Sequence, residues 1–372
     1  MRSGTANTML PSLRYSRYLF DTFIPYCYNV RTMTLDTLFD KVLEIQSTYP
    51  GASGRLSTLI DRIGVAAKIT ANDLNRSRMM DTMNKTEGVN PSGELSKWLD
   101  NKASHNFQKA LESTGLCCAL ISEEEDGVHI VPGNEEGEYV VAFDPLDGSS
   151  NIDINVTVGS IFAIWSRVSK SGQPKDEDIL RIGRDIVAAG YVMYGPSTVL
   201  VYATEGTIDA FTLDPAIGVW FLSQPNIRVP GRGNTISVNT ARRHLWRPYV
   251  REFFDWLHTE EYSGKGKKAS GRHVGSLIAD AHRTIVRGGI HMYPAGEDYP
   301  KGKIRLMYEA APLAWMLERA GGKAVTGTGE NILDIRPEHV HDRSPIILGS
   351  PYEVDKFEEM RMKWEKENDS FS

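Results

Sequence analysis

The 372-residue chain has only three cysteines, Cys27 and the neighbours Cys117 and Cys118. That is too few for a disulfide framework, and no C-x-x-C pair offers zinc spacing, so a reducing compartment fits best. Basic residues are not in excess: 42 Lys and Arg against 48 Asp and Glu leave a formal charge of −6. No general positive field is there to draw in nucleic acid or an anionic membrane. No apolar run approaches the ~18 residues of a membrane span, and runs such as Tyr139 to Phe143 have strand length. Internal repeats and low-complexity tracts are absent too. What remains, 41% hydrophobic and 24% charged, can bury a sizeable core, and the length favours two domains.

Residues 1–32 stand apart, with Arg2, Arg14, Arg17 and Arg31 set among Ser, Thr and Tyr and with Asp21 the only acid. This composition resembles an organelle transit peptide. An ordinary ragged terminus, or residues upstream of a start at Met33, reads equally well, so cytoplasmic location and organelle import both stay open. Leu35, Leu38, Phe39, Val42, Leu43 and Ile45 then fall at helical spacing, and a second apolar-periodic stretch runs from Leu56 through Ile69. β-rich runs follow at Tyr139 to Phe143, Ile161 to Trp165, Ile186 to Tyr194 and Thr198 to Tyr202. The Pro- and Gly-containing stretch 224–234 reads as a joint. The expected plan is an α/β (α+β) chain with a helix-rich domain over 33–226, a second domain over 227–360 and a tail over 361–372.

The informative segment runs from Tyr139 to Asn151. A strand leads into Asp144 and Asp147, then into Gly148, Ser149 and Ser150. Two carboxylates with the Leu146 carbonyl between them can bridge hard, oxygen-seeking cations such as Mg²⁺. The Gly148 and Ser149 amides can converge on an anion. Asp-Pro and Asp-Gly are also common turn dipeptides, so spacing alone leaves a plain turn open. Glu123, Glu124, Glu125 and Asp126 follow the apolar run Cys118 to Ile121, Glu94 and Asp100 flank Lys97, and Glu309 follows Leu306-Met307-Tyr308. Each, taken singly, reads as surface charge.

Taken in order, a helix-borne acid, Glu-Glu and then D-P-L-D-G-S-S resemble the metal-dependent, lithium-sensitive sugar and inositol phosphatases. Asn151-Ile152-Asp153 narrows the resemblance to the class I fructose-1,6-bisphosphatases. Further matches lie at 187–191, 213–218, 279–283, 288–290, 302–309 and 347–350, and the whole covers about Thr34 to Phe357. It implies a layered α-β-α-β-α fold, hydrolysis of the 1-phosphate of fructose 1,6-bisphosphate, and a homo-oligomer, dimer or tetramer. Two or three Mg²⁺, with Mn²⁺ or Zn²⁺ as substitutes, would be held by Glu123, Glu124, Asp144, Asp147, Glu309 and the Leu146 carbonyl. Asp100 and Glu124 would orient and deprotonate the attacking water, and Glu94 stands where the family has an aspartate on a mobile loop.

In the same resemblance Gly148, Ser149 and Ser150 would hold the 1-phosphate. Asn239, Arg272, Tyr293, Lys303 and Tyr308 would take the sugar and its far phosphate, with Gly275 and Ser276 in the same loop. Arg272 resembles the residue that reaches into a neighbouring subunit's site. Arg242 and His273 stand where animal enzymes carry phosphate-binding tyrosines, and both can still donate hydrogen bonds. With Trp165, Tyr194-Gly195-Pro196 and Ala310-Ala311-Pro312, which resemble sedoheptulose-1,7-bisphosphatases, they keep the seven-carbon sugar open as alternative or second substrate. The AMP site of the animal enzymes looks eroded: 52–57 reads Ala-Ser-Gly-Arg-Leu-Ser, and Glu138 replaces a phosphate-binding Lys. Weak or absent AMP inhibition is expected.

Overall fold

A capping box opens the first helix: the Thr37 hydroxyl accepts from Asp40 N, and the Asp40 carboxylate accepts from Thr37 N. The computed structural model describes residues 36–84, 92–204, 206–263 and 268–369, without the side chains of 78–84, 92–96 and 369. The 1–32 extension lies outside the described residues. The opening helices are α1 (Leu38–Ser47), α2 (Arg55–Asn84) and α3 (Ser92–Glu112). The apolar periodicity of α2 fades at Ile69, yet the helix continues to Asn84 because 70–84 contains neither Gly nor Pro.

Among the described residues, eight strands form the larger sheet. They are β1 (Cys117–Ser122), β2 (Val128–Ile130), β3 (Tyr139–Asp147), β4 (Val158–Ser166), β5 (Ile186–Tyr194), β6 (Thr198–Ala203), β7 (Ile208–Asp214) and β8 (Val219–Gln224), with a short α4 (Asp176–Ile179) between β4 and β5. Their spatial order is β2-β1-β3-β4-β5-β6-β7-β8, with β1 and β3 parallel and the other pairs antiparallel. Val141, Phe143, Phe162 and Ile164 pack with Leu59, Ile63, Phe107 and Leu111 of the helices, while Val140, Ala142, Ile161 and Ala163 enter a core on the other face. With both faces buried, a one-residue slip would exchange the two cores, which fixes the register.

The second half contributes β9 (Thr235–Val238), α5 (Pro248–Trp256), α6 (Glu260–Ser263), β10 (Ser270–Gly271), α7 (Leu277–Arg287), β11 (Ile290–Tyr293), β12 (Ile304–Arg305), α8 (Ala311–Arg319), β13 (Lys323–Val325), β14 (Arg343–Ser344), β15 (Ile346–Gly349) and α9 (Pro351–Asp369). A sheet ordered β10-β9-β11-β15-β13 forms, and β12 pairs separately with β14. Leu277, Ile278, Leu313 and Leu317 of α7 and α8 fill the core between the sheets, and Phe253, Trp256 and Phe357 of α5 and α9 cover the outer face of the smaller one. The result is the layered α-β-α-β-α arrangement. Residues 361–369, set aside above as a tail, continue α9: Arg361 is buried on Glu358 at 2.8 Å, and the Trp364 ring lies 5.5 Å from Tyr249.

Two irregularities prepare a site. β3 does not stop before the aspartates but runs through them, and its register on β4 shifts between Asp144 and Asp147, around Pro145. The Ser160 hydroxyl secures this bulge by donating to the Pro145 carbonyl at 2.7 Å. The second is a π turn, Leu306–Ala310, leading into α8.

Candidate active site

These irregularities bring three acids together. Glu123 follows β1, Asp144 lies in the β3 bulge and Glu309 in the π turn, with one carboxylate oxygen of each within 4.8 Å of the others. Asp144 Oδ1 accepts from Leu146 N at 2.8 Å, whereas Asp144 Oδ2 is buried with no hydrogen-bond partner. Burial, then Glu123, Asp147 and Glu309, push Asp144 far above the carboxylate range; burial and Glu123 do the same to Glu309. Asp147 is pushed up to about 6, chiefly by burial. Its Oδ2 accepts from Ile278 N at 2.9 Å and from Ser276 Oγ at 3.3 Å, which ties it to the start of α7. An orphaned buried carboxylate oxygen among like charges fits a hard divalent cation, so Glu123, Asp144 and Glu309 are the residues to hold one.

Asp100 on α3 faces this corner. Burial, then Glu124, raises it to about 7, and a bond to Ser149 partly offsets the rise. Burial and Glu123 likewise raise Glu124, against Lys97. A carboxyl that titrates near neutrality can both take and return a proton. The side chain of Glu94 lies outside the described residues.

Gly148 (φ +75°) turns β3 into the short helical turn Ser149–Asn151. A Cβ there would lie 3.3 Å from Ser276 Cβ, so glycine lets the turn close on the start of α7. Ser276 caps α7, and Asn151 Nδ2 donates to the Gly275 carbonyl at 3.3 Å. Gly148, Ser149, Ser150, Gly275 and Ser276 thus meet at one corner. Asn239, Arg242, Tyr293 and Lys303 line a small cavity of about 50 Å³, with Lys303 Nζ 5.9 Å from the Tyr293 ring centre. Arg242 is ion-paired with Asp298 in the same cavity. His273 lies edge-on to Tyr293, 6.2 Å between ring centres. Arg272 is exposed, with Nη1 donating to the Gly271 carbonyl. Tyr308 is fully buried and its hydroxyl meets His341 Nδ1 at 2.8 Å, so it is not part of this lining.

A second trio, His273, Asp280 and His291, is equally close, again within 4.8 Å. Here the carboxylate is fully supplied: Asp280 accepts from Val274 N, Gly275 N and Arg283 Nη1 at 3.0, 3.1 and 2.8 Å. Asp280 lies in a matched motif, but sequence reasoning gave it no role. Sequence reasoning leaves Arg305 as charge balance beside an acid pocket and misses His341: Arg305 Nε lies 3.6 Å from Glu123 Oε1, and its backbone N–H donates to Glu309 Oε2 at 2.5 Å. No local pattern announces a contact between residues as far apart in sequence as Arg305 and Glu123. Among the described residues, no helix is long and apolar enough to cross a membrane.

Known protein families match both halves of the chain. The model of the fructose-1-6-bisphosphatase N-terminal domain matches residues 36–225, and that of the C-terminal domain matches 229–362. The class 1 fructose-1,6-bisphosphatase of Cytophaga hutchinsonii is 44% identical over 329 residues, 87% of this chain and 94% of its own length. That of Sorangium cellulosum is 41% identical over 87% of this chain and 92% of its own. The crystal structure of Leishmania major fructose-1,6-bisphosphatase in holo form superposes with a TM-score of 0.80 at 36% identity, covering 88% of this chain and 99% of that one. Both halves are matched and the acids converge where they join, and the chain belongs to the fructose-1,6-bisphosphatase family.

Proposed function

We propose that the chain hydrolyses the 1-phosphate of fructose 1,6-bisphosphate to fructose 6-phosphate and phosphate, using Mg²⁺ held by Glu123, Asp144 and Glu309, with Asp147, Glu124 and the Leu146 carbonyl beside them. The observation that carries this reading is the acid trio with its orphaned Asp144 Oδ2. Bound there, Mg²⁺ would screen the phosphoryl charge, favour water deprotonation and stabilise the departing alkoxide. The Asp100–Glu124 pair takes the water proton as the new P–O bond forms and the bond to the sugar oxygen breaks; that oxygen is protonated on leaving. Gly148 and Ser149 amides hold the 1-phosphate, and Asn239, Arg242, Tyr293 and Lys303 the far end. The exposed Arg272 serves a neighbouring copy of a homo-oligomer. The low cysteine content supports a cytoplasmic site of action.

Phosphate release from fructose 1,6-bisphosphate and sedoheptulose 1,7-bisphosphate, side by side with Mg²⁺ and with EDTA, tests the proposal. Mg²⁺-dependent preference for the six-carbon sugar is expected. Preference for the seven-carbon sugar would assign Arg242 and His273 to a different specificity, and binding without turnover would make the chain a sensor. AMP inhibition is expected to be weak: Arg55, on a cavity of about 400 Å³ with Tyr49, Tyr139 and Tyr202, is ion-paired with Glu138. Inhibition by micromolar AMP would contradict that.

A further inference from the structure

His341 lies in the turn before β14, far in sequence from every acid of the site. Its ring nevertheless joins two of the segments that carry them. His341 Nε2 is 2.8 Å from the Glu125 carbonyl, which can only accept, so Nε2 bears the ring proton. Nδ1, 2.8 Å from the Tyr308 hydroxyl, is then the acceptor, and the Tyr308 O–H donates to it. Glu125 closes the turn that presents Glu123 and Glu124, and Tyr308 immediately precedes Glu309. The flanking backbone strengthens the link. Arg305 Nη1 donates to the His341 carbonyl at 2.8 Å, Leu306 N donates to the Asp342 carbonyl at 2.7 Å, and β12 pairs with β14.

We infer that His341 is a positioning residue that braces the Glu123 turn against the Glu309 turn, so that the two carboxylates stay close enough to share a cation. The brace is needed because carboxylates crowded into a buried site repel one another and would part if their backbones were free. Outer partners of this kind change metal affinity about 10- to 100-fold when removed. The inference rests on the reading of Glu123, Asp144 and Glu309 as the metal centre. It also gives Tyr308 a task, since its only hydroxyl proton is committed to the His341 ring.

The test is Mn²⁺ binding by the full chain, followed by the paramagnetic resonance of free Mn²⁺, for wild type, Asp144→Asn, His341→Ala, His341→Gln and Tyr308→Phe. His341→Ala is expected to raise the Mn²⁺ dissociation constant at least about 10-fold. His341→Gln, whose amide retains one donor and one acceptor, should recover most of that. Tyr308→Phe should weaken Mn²⁺ binding as well, and adding it to His341→Ala should cost little more, because both remove one interaction. Fructose 1,6-bisphosphate affinity in EDTA should be unchanged in His341→Ala, which a general loosening of the fold would not leave intact. Mn²⁺ affinity within about twofold of wild type in His341→Ala, or equal losses in the Ala and Gln variants, would overturn the brace while leaving the metal centre standing. Failure of the wild type to bind Mn²⁺ would overturn both.

Discussion

Two trios of ionisable side chains, Glu123–Asp144–Glu309 and His273–Asp280–His291, place their ligand atoms within the same 4.8 Å, yet they are opposites in charge balance. In the first, carboxylates face carboxylates, Asp144 Oδ2 has no partner, and the buried acids are pushed up towards their neutral forms. In the second, two backbone N–H groups, a guanidinium and an imidazole surround one carboxylate, and Asp280 is held well below the usual range by His273, Gly275 and Val274 despite its burial. Proximity is common to both, so it does not mark a cation site. Unanswered like charge does: in the first trio three carboxylates share only Arg305, 3.6 Å from Glu123, whereas the single carboxylate of the second is matched by Arg283.

The comparison breaks most severely at Asp144. Asp144→Asn removes a ligand charge at the point where cation and phosphoryl group meet, and phosphate release should fall by at least about 10³-fold with the fold intact by circular dichroism. Near-normal turnover would remove Asp144 from the chemistry. The matching change in the second trio, Asp280→Asn, should act on stability instead. It takes the charge from the buried acceptor of Val274 N, Gly275 N and the partly exposed Arg283 guanidinium, and should cost about 3 kcal/mol in urea unfolding at pH 7. A carboxyl lowered on folding stabilises the fold above its unfolded value and loses that contribution as the pH falls below about 4, so the gap between wild type and Asp280→Asn should narrow in acid. A constant gap would show that the charge is not what matters.

The acids beside the first trio should show the reverse pH sign. Carboxyls raised on folding, Asp147 to about 6 and Asp100 to about 7, make the metal-free fold bind more protons than the unfolded chain. Its stability therefore declines as the pH rises from about 4 through 7. A bound cation answers the repulsion, so the stabilisation by Mg²⁺ against urea unfolding should be small at pH 5 and large at pH 8, reaching about 3 kcal/mol at a hundredfold excess over Kd. A Mg²⁺ effect independent of pH would place the ion away from these acids.

How much of this was legible beforehand follows from the range over which each interaction acts. D-P-L-D-G-S-S is contiguous, so Asp144, Asp147, Gly148 and Ser149 could be singled out as a possible cation and anion corner from their chemistry alone, and their order with Glu123, Glu124 and Glu309 carried the family resemblance. The bulge at Pro145 was not legible, because it exists only in register with β4. Tyr308 was read as a sugar contact from its place in a matched motif; its hydroxyl instead meets a histidine 33 residues away, a distance no local pattern spans. Asp280 was visible as a motif letter without a role, since its N–H donors are supplied by a loop whose path depends on α7 and β9 together.

The smallest effect should come from the other member of the second trio, His291. It is fully buried: Nδ1 lies 3.0 Å from Ser237 Oγ and 3.2 Å from the Ser237 carbonyl, while Nε2 has no partner. Burial, with His273 and Arg283 against Asp280, lowers it to about 4 from 6.5. At pH 7, replacing it with leucine gives up a bond worth about 1 kcal/mol but also removes an unsatisfied buried nitrogen of similar cost, so His291→Leu should change unfolding free energy by no more than about 1 kcal/mol. A histidine lowered on folding costs the fold stability as the pH falls from 6.5 towards 4, because the unfolded chain takes up the proton first. His291→Leu should therefore gain on wild type by about 2 kcal/mol in urea unfolding at pH 5 relative to pH 7. An equal difference at both pH values would mean that the imidazole titrates normally and that the second trio, like the first, still has a charge to answer.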